Sequence, residues 1–168
     1  MTPVTSPYTL DDLDRRILDQ LQRDSSLSNL QLAARVHASA PTCLRRVRKL
    51  RQSGLIVRET ALLDATRLGS PITVIIEVSL DAQAASQLDA VEAHLIQDPA
   101  IQQCYRVSSG PDFILVARLA DMQAYQDLAL RRLTGDPRVR NVRSFFATQC
   151  SKFDPRIVIP GGIYPTSG

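Results

Sequence analysis

The sequence predicts an α+β protein whose amino-terminal third is helical and whose remainder alternates strands with helices. Apolar residues recur at helical spacing up to Gly54, whereas β-branched apolar runs alternate with helical patterns from Ile72 onward. Charge divides the chain in the same way. Residues 1–58 hold 10 Lys or Arg and 5 Asp or Glu, a balance of +5, while the rest holds 10 and 12, a balance of −2. We therefore expect a basic module joined to a module with a different role.

The first helix is expected after a flexible amino-terminal arm, residues 1–9. Thr9 is the expected N-cap, and three aspartates follow it in the first turn, at the positive end of the helix dipole. The apolar positions beyond it fall on one helical face: Leu10, Leu13, Ile17 and Leu21. This face predicts packing against the two helices that follow.

Two further helices are predicted between residues 28 and 54. Ser28 and Gln31 form a capping-box pattern, and Ser39 opens the next helix with Pro41 in its first turn. The inward face of this last helix is expected to consist of Cys43, Leu44, Val47 and Leu50. Two helices joined by a turn of three or four residues fit a helix-turn-helix, so residues 10–57 are predicted to bind DNA.

The last of these helices carries the cations, and no acidic residue occurs between Asp24 and Arg58. A solvated helix face usually mixes charges of both signs, although a cationic face that contacts only solvent is the alternative. We expect Ser39 and Pro41 to place the helix end close to the DNA backbone, and the other residues of the interface to contact the groove or the phosphates. Groove contacts are expected from Thr42, Arg45, Arg46 and Lys49, and phosphate contacts from Arg48, Arg51 and Arg58.

Residues 58–71 are predicted to be a connector strand or linker that ends in Gly-Ser-Pro. The carboxy-terminal domain, residues 72–159, reads β-α-β-β-α-β, which is the ferredoxin-like order with helices on one face of a four-stranded sheet. Its strands are predicted at 72–80, 101–108, 113–119 and 139–150, and its helices at 84–96 and 122–133. Because the other face needs cover, a second copy of the sheet is expected there. Residues 156–159 could add a short strand before a loose tail, residues 160–168.

This combination resembles the Lrp/AsnC family, the feast/famine transcription regulators, over roughly residues 10–159. The resemblance is carried by Leu13–Leu18, Leu27–Ala33, Ser39, Cys43–Leu50, Gly54–Ile56, Ala61–Gly69 and Asp121–Tyr125. It implies a winged-type three-helix DNA-binding domain, a connector strand and a ferredoxin-like domain of the RAM or ACT type. It also implies homodimers formed through the carboxy-terminal sheets, often assembled to octamers, with a small effector, commonly an amino acid, between dimers.

The resemblance further implies an effector loop between the second and third strands of the sheet. The family usually has Ser/Thr-Gly-Asp-x-Asp-Tyr/Phe there, whereas this chain has Ser-Ser-Gly-Pro-Asp-Phe at 108–113. Asp112 would take an ammonium group and Phe113 would wall the pocket, although Asp112 could instead cap the amides of its own turn. The fourth strand, from Ser144 to Gln149, would lie beside this loop. The implied effector-binding residues are Ser109, Gly110, Pro111, Asp112, Phe113, Ser144 and Thr148.

His37 occupies a turn position where the family favours glycine, because a positive φ is easy for glycine and costs another residue about 1 kcal/mol. It is either an exposed turn residue or a DNA contact or pH sensor. His94 is expected to lie on the surface of a helix. With only these two histidines in the chain, few acid–base groups are present, so no enzyme activity is expected.

We predict a sequence-specific DNA-binding regulator that responds to a small effector, an amino acid, and acts in the cytoplasm. The alternatives are an effector-independent architectural DNA-binding protein and an enzyme resembling the siroheme decarboxylases. The partners expected are double-stranded DNA, the effector and further copies of the chain, with no membrane. Cys43, Cys104 and Cys150 lie far apart, which predicts neither a disulfide nor a metal site. No cofactor is expected, and no apolar run approaches the roughly 20 residues of a membrane span.

Overall fold

The computed structural model describes residues 8–161, so most of the predicted arm and tail lie outside the described residues. The described chain forms two compact units. The helical unit consists of residues 8–61 and 153–161, and the sheet unit consists of residues 62–152. The chain therefore leaves the helical unit once and returns to it at its carboxy-terminal end.

The helical unit contains α1 (Asp12–Arg23), α2 (Asn29–Arg35) and α3 (Ala40–Gln52). The N-cap of α1 is Asp11 rather than the expected Thr9. The Asp11 carboxylate accepts the Asp14 N–H at 2.9 Å, and the Asp14 carboxylate accepts the Asp11 N–H in return. A carboxylate at this position accepts a backbone N–H and also interacts favourably with the helix dipole. The buried core of the unit consists of Ile17, Leu32, Ala33, Val36, Cys43, Val47 and Leu50.

The predicted caps of α2 and α3 are confirmed. The Ser28 hydroxyl accepts the Gln31 N–H while the Gln31 side chain accepts the Ser28 N–H, at 3.3 and 2.9 Å. Ser39 caps α3, and Pro41 lies in its first turn. The prediction that Leu44 faces inward is wrong, since its side chain is 39% exposed. The buried face of α3 consists of Cys43, Val47 and Leu50. Leu44 lies to one side of this face, so the buried face is narrower than the set of apolar residues on the helix.

The turn between α2 and α3 adopts the left-handed conformation at His37, whose φ is +54°. The His37 and Ala38 N–H groups donate to Ala34 O and Ala33 O at 3.3 and 3.0 Å, which is the Schellman pattern of helix termination. Ala38 packs on the same core to which Ala33 belongs. The turn therefore keeps the geometry that glycine would favour, with histidine in the strained position.

The sheet unit contains β1 (Ile72–Leu80), β2 (Ile101–Arg106), β3 (Phe113–Leu119) and β4 (Val139–Phe146). All neighbours pair antiparallel in the order β2-β3-β1-β4, so the predicted ferredoxin-like topology is confirmed. Strands β1 and β3 have the predicted bounds, whereas β2 and β4 end earlier. The helices are α4 (Ala85–Leu95) and α5 (Met122–Leu128), and α5 continues into a π-helical segment (Ala129–Leu133).

The side chains on the two faces of the sheet are buried to different extents. Alternate residues of β1 and β3 are buried against the helices, from Val74 to Leu80 and from Phe113 to Leu119. The residues between them form what we call the outer face. Its apolar members are only partly buried or exposed: Ile75, Tyr105, Ile114, Val116 and Phe145. The helices therefore cover one face, as predicted.

Of the two predicted forms of the connector, strand or linker, the structure has the linker, because no strand occurs in residues 58–71. A strand needs a neighbour for its N–H and C=O groups, and none of the described residues supplies one to this segment. Residues 65–69 instead form a turn closed by the Ser70 N–H and Ala65 O at 2.8 Å. Residues 156–159 are not a strand either. They belong to the helical unit, so the sheet unit ends at residue 152 rather than at 159.

Candidate nucleic-acid interface and ligand site

The exposed side of α3 is basic. Since Cys43, Val47 and Leu50 face the core, the opposite side presents Arg45, Arg48 and Lys49, all of them exposed. The Thr42 hydroxyl, half-buried near the helix start, accepts a hydrogen bond from Ser39 Oγ at 2.8 Å. Six cationic side chains of the helical unit form no hydrogen bond or ion pair with any residue in 8–161, and four of them lie on α3 or after it: Arg45, Arg48, Lys49 and Arg58. The other two are Arg16 and Arg35.

Arg46 does not belong to this exposed face, contrary to the sequence prediction. Its Nη1 lies 2.6 Å from Asp11 Oδ2 and 3.2 Å from Asp14 Oδ2. Asp14 is fully buried and also accepts the Tyr8 hydroxyl at 3.0 Å. Hydrogen bonding to Tyr8 and the neighbouring carboxylates raises the pKa of Arg46. Arg46 therefore contributes to the packing of α3 on α1.

Arg51 is also neutralised within the chain. Its Nη2 lies 2.5 Å from Glu59 Oε1, and both side chains are more than one-third exposed. An exposed pair of this kind contributes at most about 1 kcal/mol, so it can exchange for a phosphate. Arg51 is therefore a weaker candidate for phosphate contact than Arg48 or Arg58, which have no competing carboxylate among the described residues.

Within this chain, the side chains of Asp112 and Phe113 are both buried. The Asp112 carboxylate is buried and accepts the Leu80 N–H at 2.7 Å. It does cap a backbone amide, although that amide belongs to the end of β1 rather than to the loop. The Phe113 ring is fully buried in the sheet core, so neither side chain is open to a ligand within this chain.

The remaining effector-loop residues are open, but the strand expected beside them lies elsewhere. Ser109 and Gly110 are exposed, Gly110 has φ +87°, and Pro111 is half-buried. The loop meets the carboxyl end of β1, where the Asp112 N–H donates to Val78 O at 2.9 Å. By contrast, Ala147 bonds to Thr73 at the opposite end of β1. The sheet order also places β1 between β3 and β4.

The other two candidate effector residues lie on or after β4. The Ser144 hydroxyl accepts a hydrogen bond from the Tyr125 hydroxyl at 2.8 Å, and Thr148 is exposed. The Tyr125 ring packs edge-to-face on Phe146, with centroids 5.0 Å apart. Because β1 and the length of the sheet separate them, the loop and Thr148 do not form one site within a single chain.

Comparison with known proteins identifies the family. Residues 10–57 match a winged helix-turn-helix DNA-binding domain, and residues 73–157 match the Lrp/AsnC ligand binding domain. The chain belongs to the Lrp/AsnC family. The leucine-responsive regulatory protein of Salmonella typhimurium is 36% identical over 150 residues, which cover 89% of this chain and 92% of that protein.

Solved structures agree with this Lrp/AsnC assignment. The L-Met complex of a transcriptional regulator from Neisseria meningitidis superposes with a TM-score of 0.84 at 28% identity. An AsnC family transcriptional regulator from Agrobacterium tumefaciens gives 0.83 at 31% identity. Each comparison covers 89% of this chain and 97% of the other. The chain is thus a DNA-binding transcriptional regulator with a ligand-binding domain, and these relatives are regulators too.

One network of this Lrp/AsnC chain was not predicted from its sequence: Asp14, Arg46 and Tyr8 together hold α3 against α1. Its signal was present, because Asp14 falls among the inward apolar positions of α1, between Leu13 and Ile17. A carboxylate at a core position predicts a buried cation or several donors as partners. Arg46 and Tyr8 are those partners.

Metal and membrane features were searched within the described part of the chain. Residues 8–161 contain no group of three or more His, Cys, Asp or Glu side chains that could hold a metal ion. None of the described helices is long and apolar enough to span a membrane.

Proposed function

We propose that this Lrp/AsnC protein binds double-stranded DNA as a homodimer and regulates transcription in response to a small effector, an amino acid, in the cytoplasm. The outer side of α3 enters the major groove, and cations around it contact the phosphates. The observation that carries this proposal is that four cations on or after α3 form no hydrogen bond or ion pair with any residue in 8–161: Arg45, Arg48, Lys49 and Arg58. Ser39 and Pro41 place the start of α3 close to the DNA backbone.

Charge repulsion supports a polyanionic partner. Arg45 lies three residues from Arg48 and four from Lys49, so these like charges are neighbours on one helical surface and destabilise the free helix by a few tenths of a kcal/mol. No carboxylate of the described chain relieves this repulsion. Phosphates would relieve it and would release condensed counterions from the DNA.

The salt dependence of DNA binding tests the proposal. If four side chains per subunit meet phosphates, a dimer neutralises roughly eight, and log K should fall with log salt at a slope near −7. Two-fold symmetry predicts palindromic half-sites about 10 bp apart, or a multiple of that spacing. Fluorescence anisotropy over a salt series measures the slope, and an affinity that barely responds to salt would contradict the proposal.

Two substitutions separate base reading from phosphate contact. Arg45→Ala should reduce discrimination between operator and unrelated DNA, whereas Arg58→Ala should weaken binding to both about equally. Arg51→Ala should have a smaller effect than Arg58→Ala, because Arg51 is paired with Glu59. Competition binding measures both affinities, and identical losses of discrimination from Arg45→Ala and Arg58→Ala would refute this division.

We propose that the outer face of the sheet pairs with a second copy of the chain, and that such dimers assemble further, to octamers. Apolar side chains on this face, including Ile75 and Tyr105, which are 41% and 53% exposed, support the proposal. Ile75→Lys should produce monomers at micromolar concentration. Leu130→Lys is the control, because Leu130 is 70% exposed but lies on the π-helical segment. Analytical ultracentrifugation would contradict the proposal if Ile75→Lys left the assembly unchanged.

An amino-acid effector is supported by the family and by the L-Met complex of the Neisseria regulator. Residues 109–111 and Thr148 lie at opposite ends of one sheet, so a pocket that uses both would form between copies of the chain. A thermal-shift screen against the twenty amino acids tests this. A stabilising amino acid whose effect is lost in Thr148→Ala supports the pocket. No response to any amino acid would favour the architectural DNA-binding role.

A further inference from the structure

The carboxy-terminal segment, residues 153–161, lies within the helical unit, and we call it the strap. Its backbone meets α1 at two points. Gln22 binds both polar backbone groups of Ile157: its Nε2 donates to Ile157 O at 3.2 Å and its Oε1 accepts the Ile157 N–H at 2.7 Å. Two turns earlier, Arg15 Nε donates to Pro160 O at 3.0 Å.

The spacing of these two points fits an extended segment. Arg15 and Gln22 are seven residues apart on a helix, which corresponds to about 10.5 Å along its axis. Ile157 and Pro160 are three residues apart, and an extended chain covers about 10 Å over that distance. The strap therefore runs antiparallel to α1, and its backbone groups meet side chains that lie on one stripe of the helix.

Burial and charge add to these contacts. Ile159, between the two points, is only 6% exposed, although its neighbour Val158 is 75% exposed. Gly161 lies close to the Arg15 side chain: a Cβ added at Gly161 would be 3.2 Å from Arg15 Nε. Arg156 pairs with Asp154 at 2.7 Å, and the Asp19 charge on α1 adds to the rise in the Arg156 pKa. Backbone, apolar and charged contacts thus act at the same surface.

We propose that this stripe of α1 is a docking surface for the chain's own residues 153–161, and that the docked strap is a second tether of the DNA-binding unit. The chain passes between the two units at residues 61–62 and again at 152–153. Two tethers restrict the helical unit more than one does, so the two helical units of a dimer are better preorganised for one DNA molecule. This second part rests on the proposed function.

Limited trypsin digestion of the full chain tests docking, because Arg156 precedes Ile157 and is a cleavage site only when the strap is released. Gln22→Ala removes both bonds to Ile157 and should speed cleavage after Arg156 about tenfold, the equivalent of about 1.4 kcal/mol. Gln20→Ala is the matched control, since among residues 8–161 the side-chain amide of Gln20 bonds only to Asp19. Its cleavage rate should match the wild type. Equal rates in all three proteins would overturn docking.

Hydrogen exchange at Ile157 gives an independent reading of the same contact. The amide should be protected in the wild type and in Gln20→Ala, and should lose that protection in Gln22→Ala. Protection should also be independent of protein concentration, because the strap docks on its own chain. Protection that disappears when the assembly is diluted to monomers would overturn own-chain docking in favour of a partner's helix.

DNA affinity tests the tether. Gln22→Ala should weaken binding severalfold to a long duplex that both helical units of a dimer can reach, and should leave binding to a duplex of about 10 bp unchanged. Equal weakening on both duplexes, or no change on either, would overturn the tether. If the wild type binds no DNA, the proposed function fails together with the tether, while digestion and exchange still decide whether the strap docks.

Discussion

Replacing Arg46 by methionine should destabilise the helical unit without removing a DNA contact. Methionine fills much of the same space and leaves the buried Asp14 carboxylate without its cation. Asp14 has 0% side-chain exposure, whereas Arg46 has 25%. Removing one partner of a buried ion pair costs about 3–5 kcal/mol. Since the Tyr8 hydroxyl and the Asp11 N–H still donate to Asp14, we expect the lower end, about 3 kcal/mol.

Arg45→Met is the matched control, because the same substitution falls on the adjacent, exposed side chain. Its effect on the free energy of unfolding should be within about 0.5 kcal/mol. Urea denaturation followed by circular dichroism measures both variants. Under conditions in which both variants are folded, the effects on DNA affinity should be the reverse of those on stability. Arg45→Met should lose affinity, and Arg46→Met should change it little.

A double-mutant cycle checks the pairing directly. Asp14→Leu combined with Arg46→Met should cost about 1–3 kcal/mol less than the sum of the two single substitutions, because neither charge is then left unpaired. Additive costs would refute the coupling. The reasoning would also fail if Arg46→Met were as stable as Arg45→Met, or if it alone abolished DNA binding.

Three further predictions concern stability, each measured by urea or thermal denaturation. His37→Gly should stabilise the helical unit by about 0.5–1 kcal/mol, because glycine adopts the φ of +54° at this position without strain. His37→Ala should not stabilise it, and a gain in stability from both variants would point to another cause. Gly135→Ala should destabilise the sheet unit by more than about 2 kcal/mol, because a Cβ there would lie 2.1 Å from Leu130 O; an unchanged midpoint would contradict this. The hydrogen bond from Arg138 lowers the pKa of Asp136, so this carboxyl stabilises the fold above about pH 4 and the gain is lost on further acidification. In Asp136→Asn, the free energy of unfolding should therefore fall less steeply as the pH drops below about 4. Parallel pH profiles of the wild type and the variant would refute this prediction.

The sequence predicted most of the fold because its signals are local. The bounds of β1 and β3 follow from runs rich in apolar and β-branched residues, and the caps at Ser28 and Ser39 depend on residues three positions away. The sheet order then follows from the alternation of strands and helices. The sequence could not decide between strand and linker for the connector, because a β-rich composition forms a strand only when a neighbour pairs with it.

The site was less predictable because its decisive contacts are distant in sequence. Arg46 lies on the polar side of α3 by periodicity, and only the packing of α1 against it brings Asp14, 32 residues away, within 3.2 Å. Asp112 finds its partner 32 residues earlier, at Leu80. Residues 156–159 have the composition of a strand, yet Gln22 on a helix binds their backbone. Periodicity shows which side of an element a residue occupies, but not what lies opposite.

The placement of the effector loop and Thr148 at opposite ends of one sheet has a thermodynamic consequence. A ligand that contacts both must hold together surfaces from separate copies, so ligand saturation and self-association become linked equilibria. Reciprocity then requires that ligand binding raise the association constant of the chains by the same factor by which association raises the affinity for the ligand. The number of copies in the cell would thereby set the amino-acid concentration at which the regulator responds.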